Sequence, residues 1–182
     1  MASVVTRRSL VETWDIFESL QLEPPRDPSG KPFILVRMPS YDDDEPLVLS
    51  FFRTGLSDMS LSNLTLPRTF FGRSLFERAD FSGSDLSESR MCWNDFVECD
   101  LSATDLSRCD LRASIFRNCK FQAPNLTGAD LRSARFEGCD FTDAVLAEAK
   151  VTRLQGFRIA LSPHQKTLVS WHWLDGRLPG GG

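Results

Sequence analysis

The chain has 182 residues, 41% of them apolar and 25% charged, with a formal net charge of -4. This composition describes an ordinary globular protein, neither disordered nor fibrous, and so small a net charge selects no nucleic-acid, membrane or acidic-substrate partner class. Met1 to Thr6 has no apolar run suited to a signal peptide, no stretch approaches eighteen apolar residues, and five cysteines argue against a disulfide framework, so a cytoplasmic location without membrane insertion is expected.

Ser9 to Gln21 reads as an amphipathic helix, with Ser9 and Glu12 as a capping box and Leu10, Trp14, Phe17 and Leu20 or Gln21 at helical spacing. The proline-dense stretch Pro24-Pro25-Arg26-Asp27-Pro28-Ser29-Gly30 then forms a linker. Phe33 to Met38 and Leu47 to Arg53 are expected as two strands flanking the acidic loop Asp42-Asp43-Asp44-Glu45. Residues 1–58 are thus assigned to an N-terminal helix and β-hairpin that cover the open end of a repeat region beginning at Met59.

From 59 to 153 a five-residue pattern repeats nineteen times without a skip. It includes Ala79-Asp80-Phe81-Ser82-Gly83, Cys109-Asp110-Leu111-Arg112-Ala113 and Ala129-Asp130-Leu131-Arg132-Ser133. Every central position from Leu61 to Val151 is Leu, Phe, Met or Val, and the position two before it is almost always Ala, Ser, Thr or Cys. Residues two apart in a strand share a side, so the small and the central residue both face inward. An odd repeat breaks the alternation, and the chain must turn a corner after each central residue. Phe76, Phe96, Phe116 and Phe136 form one ladder, Leu66, Leu86, Leu106, Leu126 and Leu146 another, and Cys99, Cys119 and Cys139 a third, so the longer period is twenty and each coil has four sides. At about 4.8 Å per coil, nearly five coils make a rod roughly 23 Å long.

After Val151 the register fades, and Ser162-Pro163-His164-Gln165 starts a short helix to about Trp173 that stops near Asp175-Gly176. Residues 154–182 are assigned to a C-terminal cap whose Gly180 to Gly182 tail is expected to be disordered. Leu168, Trp171, Trp173 and Leu174 exceed what one helix face can bury, and are the candidate cap or dimer contacts.

The repeat resembles the pentapeptide-repeat family, whose motif is Ala-(Asp/Asn)-Leu-x-x. The resemblance covers about half the chain and implies an all-β solenoid, a right-handed four-sided parallel β-helix. It also implies pairing through C-terminal elements, and a homodimer is expected on that ground. Met59, Leu64, Asn94 and Pro124 depart from the small-residue rule, and Met59 and Leu64 are expected to mark a loosened first coil. The small partners leave no lumen, so the core should be dry and continuous.

No recognisable motif points to catalysis, a cofactor or a metal. The cysteine ladder faces an apolar core that keeps thiols inert, and outward Cys92 is the more reactive candidate. The acidic loop lacks the Gly and distal Glu of a calcium loop, and no spacing places an acid-base partner beside His164 or His172. Neither a nucleophile elbow nor a Gly-rich phosphate loop is present, so a non-enzymatic role is expected.

Surface charge is more informative, because the twenty-residue period assigns every outward residue to a side. The sides centred on Leu61 and Leu66 carry Asp80, Asp85, Glu88, Asp100, Asp105, Asp140, Asp143 and Glu148 against Arg68, Arg108 and Lys120, a net of -5. The other two net +3, with Arg73, Arg90, Arg112, Arg132, Lys150 and Arg153 on the side centred on Phe71. Aspartates before the central residue can serve the fold by bonding turn backbone, while Asp110 and Asp130 offset Arg112 and Arg132. The sharper reading is a docking surface made of Asp80, Asp85, Asp100, Asp105 and Asp140 or of Arg90, Arg112, Arg132 and Trp93. Leu75, Val97 and Ile115 fall outward on the Phe76 side, and the N-terminal helix is expected to lie over them.

The expected function is that of a protein-binding scaffold for an unidentified protein partner. The alternative comes from the resemblance: a modulator of type II topoisomerase that imitates DNA, as in quinolone resistance. Duplex DNA carries one charge per about 1.7 Å, so a rod of this length would need roughly 14 against a net of five here, and the imitation is poor. Direct nucleic-acid binding is disfavoured further, since Trp93 is the only obvious stacking group on the basic side.

Overall fold

The computed structural model describes residues 50–53, 55–153 and 159–172. The helix, linker and acidic loop expected before Ser50, and the tail with Trp173 and Leu174, lie outside the described residues. Parallel pairing joins each strand or bridge residue to the one twenty positions later, and the resulting β-solenoid has about six coils. Strands β2 (Gly55–Ser57), β4 (Leu75–Glu77), β5 (Asp95–Val97), β6 (Ile115–Arg117) and β7 (Arg135–Glu137) form the continuous sheet of the Phe76 side. Elsewhere β1 (Ser50–Phe52) pairs β3 (Phe70–Gly72), β8 (Lys150–Thr152) pairs β9 (Ser170–His172), and isolated bridges such as Asp80↔Asp100 and Asp85↔Asp105 continue the ladder.

The register therefore runs past 59–153 at both ends. Ser50 already pairs with Phe70, and Leu64, expected in a loosened coil, is fully buried within unbroken register between Ser60↔Asp80 and Thr65↔Asp85. The C-terminal helix α1 (Pro163–Leu168) has the expected capping box at Ser162 and Gln165, but it ends at Leu168 rather than near Trp173. The chain returns to the ladder there, with Val151 opposite Trp171. The buried Gln165 side chain donates to the carbonyls of Phe141 (2.9 Å) and Ala144 (3.2 Å), which no further coil would otherwise satisfy.

Corners follow from backbone chemistry. Every fifth residue from Arg53 to Glu148 has a positive φ, and where a bond closes the corner, as from Ser84 N to Phe81 O at 3.0 Å and from Ala129 N to Leu126 O at 3.0 Å, it gives the signature of a type II turn. Only three of these corners carry Gly, so most accept the strain of a left-handed side chain, and the stacked ladder holds them there. Pro124 has no amide hydrogen to close its turn, and its carbonyl still accepts from Val145 in the next coil.

Within the core the Phe76, Phe96, Phe116 and Phe136 rings stack at 4.8, 4.7 and 4.9 Å, nearly parallel, so the coil spacing sets the ring spacing. Inward polar residues answer the carbonyls at the corners below them. Ser84 Oγ donates to Leu61 O (2.6 Å), Thr104 Oγ1 to Phe81 O (3.0 Å), Ser114 Oγ to Met91 O (2.6 Å) and Cys109 Sγ to Leu86 O (2.9 Å). This is why Ser, Thr and Cys serve as well as Ala beside the large residue.

Candidate interaction surface

The aspartates before the central residue are built into the turns. Asp80, Asp85, Asp100, Asp105 and Asp140 each accept, through one carboxylate oxygen, the amide of the residue two positions on, at 2.9 to 3.0 Å. Asp100 also meets Lys120 at 3.3 Å, and Asp105 accepts from Asn125 at 3.1 Å. Burial pushes the Asp100 carboxyl up, but the hydroxyl and amide of Ser102, with Lys120, outweigh it and leave it below the usual carboxylate range. The Thr142 hydroxyl and amide lower Asp140 in the same direction. Asp80 stacks under Asp100 and Asp85 under Asp105, but both columns then pass to Lys120 and Asn125, so the acidic stripes are short.

The basic side divides in two. Arg112 and Arg132 each grip the aspartate two residues earlier with paired bonds, at 2.8 and 2.8 Å to Asp110 and at 2.9 and 2.7 Å to Asp130. Burial pushes Asp130 up, but Arg132 outweighs it and the carboxyl lies below its ordinary value. Among the described residues Arg90 is not neutralised in this way. Among the described residues neither Arg90 nor Arg73 has a carboxylate within ion-pair distance, and Trp93 is 65% exposed.

Sequence reasoning missed what lies beside them. Arg53, Arg73 and Trp93 hold the same corner position in successive coils, at φ of 54, 52 and 62°. Phe70 pairs with Arg90, and its half-buried ring stacks on Phe52 with centroids 6.2 Å apart, while the Arg53 guanidinium lies 5.3 Å from the Phe52 ring centre. Gly72 makes room, since a Cβ there would lie 2.6 Å from the Phe70 ring. One signal was available: the doubled Phe70-Phe71, where the repeat needs one apolar residue and sends the other outward.

The Phe76 side offers no continuous apolar stripe. Asp95 pairs between Leu75 and Ile115 in one column, and Val97 lies between Glu77 and Arg117 in another. Trp14 and Phe17, expected to cover it, lie outside the described residues. Of the C-terminal candidates, Leu168 and Trp171 are exposed, and the Trp171 indole donates to the Lys166 carbonyl at 3.1 Å.

Burial raises the thiol of half-buried Cys92, with Asp110 adding to the effect, which works against the reactivity expected of it. Cys119 is pushed up by its neighbours Cys139 and Cys99 and by burial. Among the described residues no three His, Cys, Asp or Glu side chains are grouped to hold a metal, and no helix is long and apolar enough to cross a membrane. A depression of about 610 Å³, partly open to solvent, is lined by residues that include Asp140, Thr142, Asp143 and His164.

A family model described as a pentapeptide repeat region matches residues 69–146. Among solved structures the chain is similar to HetL, a pentapeptide-repeat protein involved in heterocyst differentiation regulation in Nostoc sp. strain PCC 7120, at 24% identity over 57% of this chain and 45% of that one, with a TM-score of 0.40. It is similar also to alr5209 from the same cyanobacterium, at 24% identity over 59% and 84% with a TM-score of 0.43. A trypsin-treated form of QnrB1, a plasmid-mediated fluoroquinolone resistance protein, is similar at 14% identity over 68% and 80% with a TM-score of 0.38. The chain thus spans less than half the length of HetL. No curated protein sequence matches it. Residues 69–146, folded into a four-sided parallel ladder, thus form a pentapeptide repeat region.

Proposed function

We propose that this chain is a non-enzymatic scaffold that binds a protein partner in the cytoplasm through its outer faces. The reading is carried by a contrast on the exterior. The named aspartates are engaged in turns and Arg112 and Arg132 in ion pairs, whereas Trp93, Phe70, Arg73 and Arg90 cluster on one side with Trp93 strongly exposed. Trp and Arg are the residues that most often dominate the energy of a protein interface, and a rigid ladder holds them at little entropic cost. Affinity capture from the native cell extract tests this. A partner retained by the wild type should be lost with Trp93→Ala and kept when Asp80, Asp100 and Asp140 are changed to Asn. A topoisomerase lost only with the acidic set would replace this reading with DNA imitation.

The C-terminal end supports a homodimer within the same proposal. Strand β9 pairs with β8 alone among the described residues, and Leu168 and Trp171 stand exposed beside it, with Trp173 and Leu174 next in sequence. An open strand edge with apolar neighbours is a ready pairing surface. Light scattering should give a dimer mass, and a monomer at high micromolar concentration removes the idea.

A further inference from the structure

The geometry points to an acidic protein segment with an apolar anchor as the ligand of the Arg53, Arg73, Arg90, Phe70 and Trp93 cluster, and we infer that this is the partner chemistry the basic side selects. The inference rests on the scaffold reading above and narrows it to one site and one kind of ligand.

Charge is the first argument. Arg53, Arg73 and Arg90 fall within two coil steps, about 10 Å along the axis, and none of them has a carboxylate partner among the described residues. On the same side Arg112 and Arg132, by contrast, are neutralised by Asp110 and Asp130. A guanidinium binds a carboxylate through paired, charge-assisted bonds, so the cluster presents unused forks at a fixed spacing.

The rings are the second argument. Trp93 is 65% exposed on a backbone held by its amide bond to the Arg112 carbonyl at 3.1 Å, and the Phe70 ring packs over Gly72, where a Cβ would lie 2.6 Å from it. Aromatic surface held rigid beside cations supplies the apolar contact that makes a short peptide bind, and it strengthens the nearby ion pairs by excluding water.

A continuous polyanion fits less well. The Arg90 column passes next to Asp110 and then Asp130, whose charge Arg112 and Arg132 already offset, and Asp95 lies just past the corner after Trp93, so the cationic cluster gives way to neutral ion pairs on one side and a carboxylate on the other. A nucleic-acid backbone laid along this side would meet them within one or two phosphates. A short run of Asp or Glu would not.

A peptide library displayed on phage and panned against the full chain tests the inference, with affinities of the selected peptides then measured by fluorescence polarisation. Peptides rich in Asp or Glu beside Leu, Ile or an aromatic residue are expected. They should lose at least tenfold in affinity with Trp93→Ala and with Arg73→Ala combined with Arg90→Ala, weaken as salt rises, and be unaffected by Arg117→Ala on the Phe76 side. Unchanged thermal unfolding midpoints would show that the variants remain folded. Neutral peptides that need Trp93 but not the arginines would overturn the acidic ligand and leave the scaffold reading standing. No Trp93-dependent peptide at all would overturn both, and tighter binding of a labelled oligothymidylate, lost in the same variants, would reassign the cluster to single-stranded nucleic acid.

Discussion

Asn94 donates from Nδ2 to the carbonyl oxygen of Phe71 at 2.7 Å, across two adjacent coils, in a site only 1% exposed. Its Oδ1 accepts from the Ser74 amide at 2.8 Å, so one side chain satisfies two backbone groups that the core would otherwise leave dry. Ser84 does the same with one hydroxyl, donating to Leu61 O and accepting from Leu64 N at 2.8 Å. Asn94→Ala should therefore cost about 2 to 4 kcal/mol, since both groups lose their partner, and Asn94→Ser only about 1 kcal/mol. Urea denaturation measures both. Equal costs would mean that volume, not hydrogen bonding, sets the residue.

Phe116 lies between Phe96 at 4.7 Å and Phe136 at 4.9 Å and meets the Phe121 ring edge-on at 5.2 Å. Neighbours above and below are fixed by the ladder and cannot collapse into a gap, so Phe116→Ala should cost about 3 to 5 kcal/mol. Phe136→Ala should cost less, because that ring is only partly buried. A loss under about 1 kcal/mol at Phe116 would contradict a stacked column that carries stability.

The fold was legible because its signal is repeated. Each central residue restates the same corner, and an error at Asn94 or Pro124 cannot shift a register that every other repeat enforces. The ends were less legible for the same reason. Ser50 to Ser57 has no run of complete motifs, so its membership in the ladder rests on pairing with Phe70 and Leu75, which only the folded coil brings near. Leu168 closes α1 because Ser170 finds a strand partner in Lys150, and local helix propensity in Val169 to Trp173 carries no trace of that partner. The exterior was half legible. Spacing alone anticipated that aspartates would bond turn backbone and that Arg112 would meet Asp110. It gave no sign of the stacked Phe52 and Phe70 rings on the same side as Trp93, which depend on stacking of coils twenty residues apart.

Ala103 occupies an exposed corner at a φ of 53°, where a Cβ crowds the backbone, and its amide bond to Gln122 O at 2.9 Å does not involve the side chain. Ala103→Gly removes the crowding at the expense of a freer unfolded chain, so the balance should lie between neutral and about 1 kcal/mol more stable. Ala144→Gly, at an inward position outside the left-handed set, should destabilise. The contrast is read from urea midpoints, and a loss at Ala103 as large as that at Ala144 would mean that the corners are not strained.

Glu88 joins three coils. One carboxylate oxygen accepts from Arg68 Nε at 2.9 Å and the other from Arg108 Nη1 at 3.0 Å. The Arg68 bond, then the Arg108 bond, hold its carboxyl below the ordinary glutamate value against the opposing pull of burial. A group whose folded pKa is depressed stabilises the fold above its unfolded value, about 4.3 for glutamate, and that contribution fades as pH falls through the folded value. Glu88→Gln keeps the shape and removes the charge, so the stability gap between wild type and variant should be full near pH 7 and close as the pH drops below about 4. The pair is partly exposed, with side-chain accessibilities of 30% at Arg68 and 36% at Glu88, so the gap itself should be modest, about 0.5 to 1 kcal/mol, and smaller in high salt. Thermal unfolding across pH 3 to 8 at two salt concentrations decides the matter. A gap that persists unchanged at pH 3 would assign the effect to packing against Arg68 and Arg108 rather than to their charge.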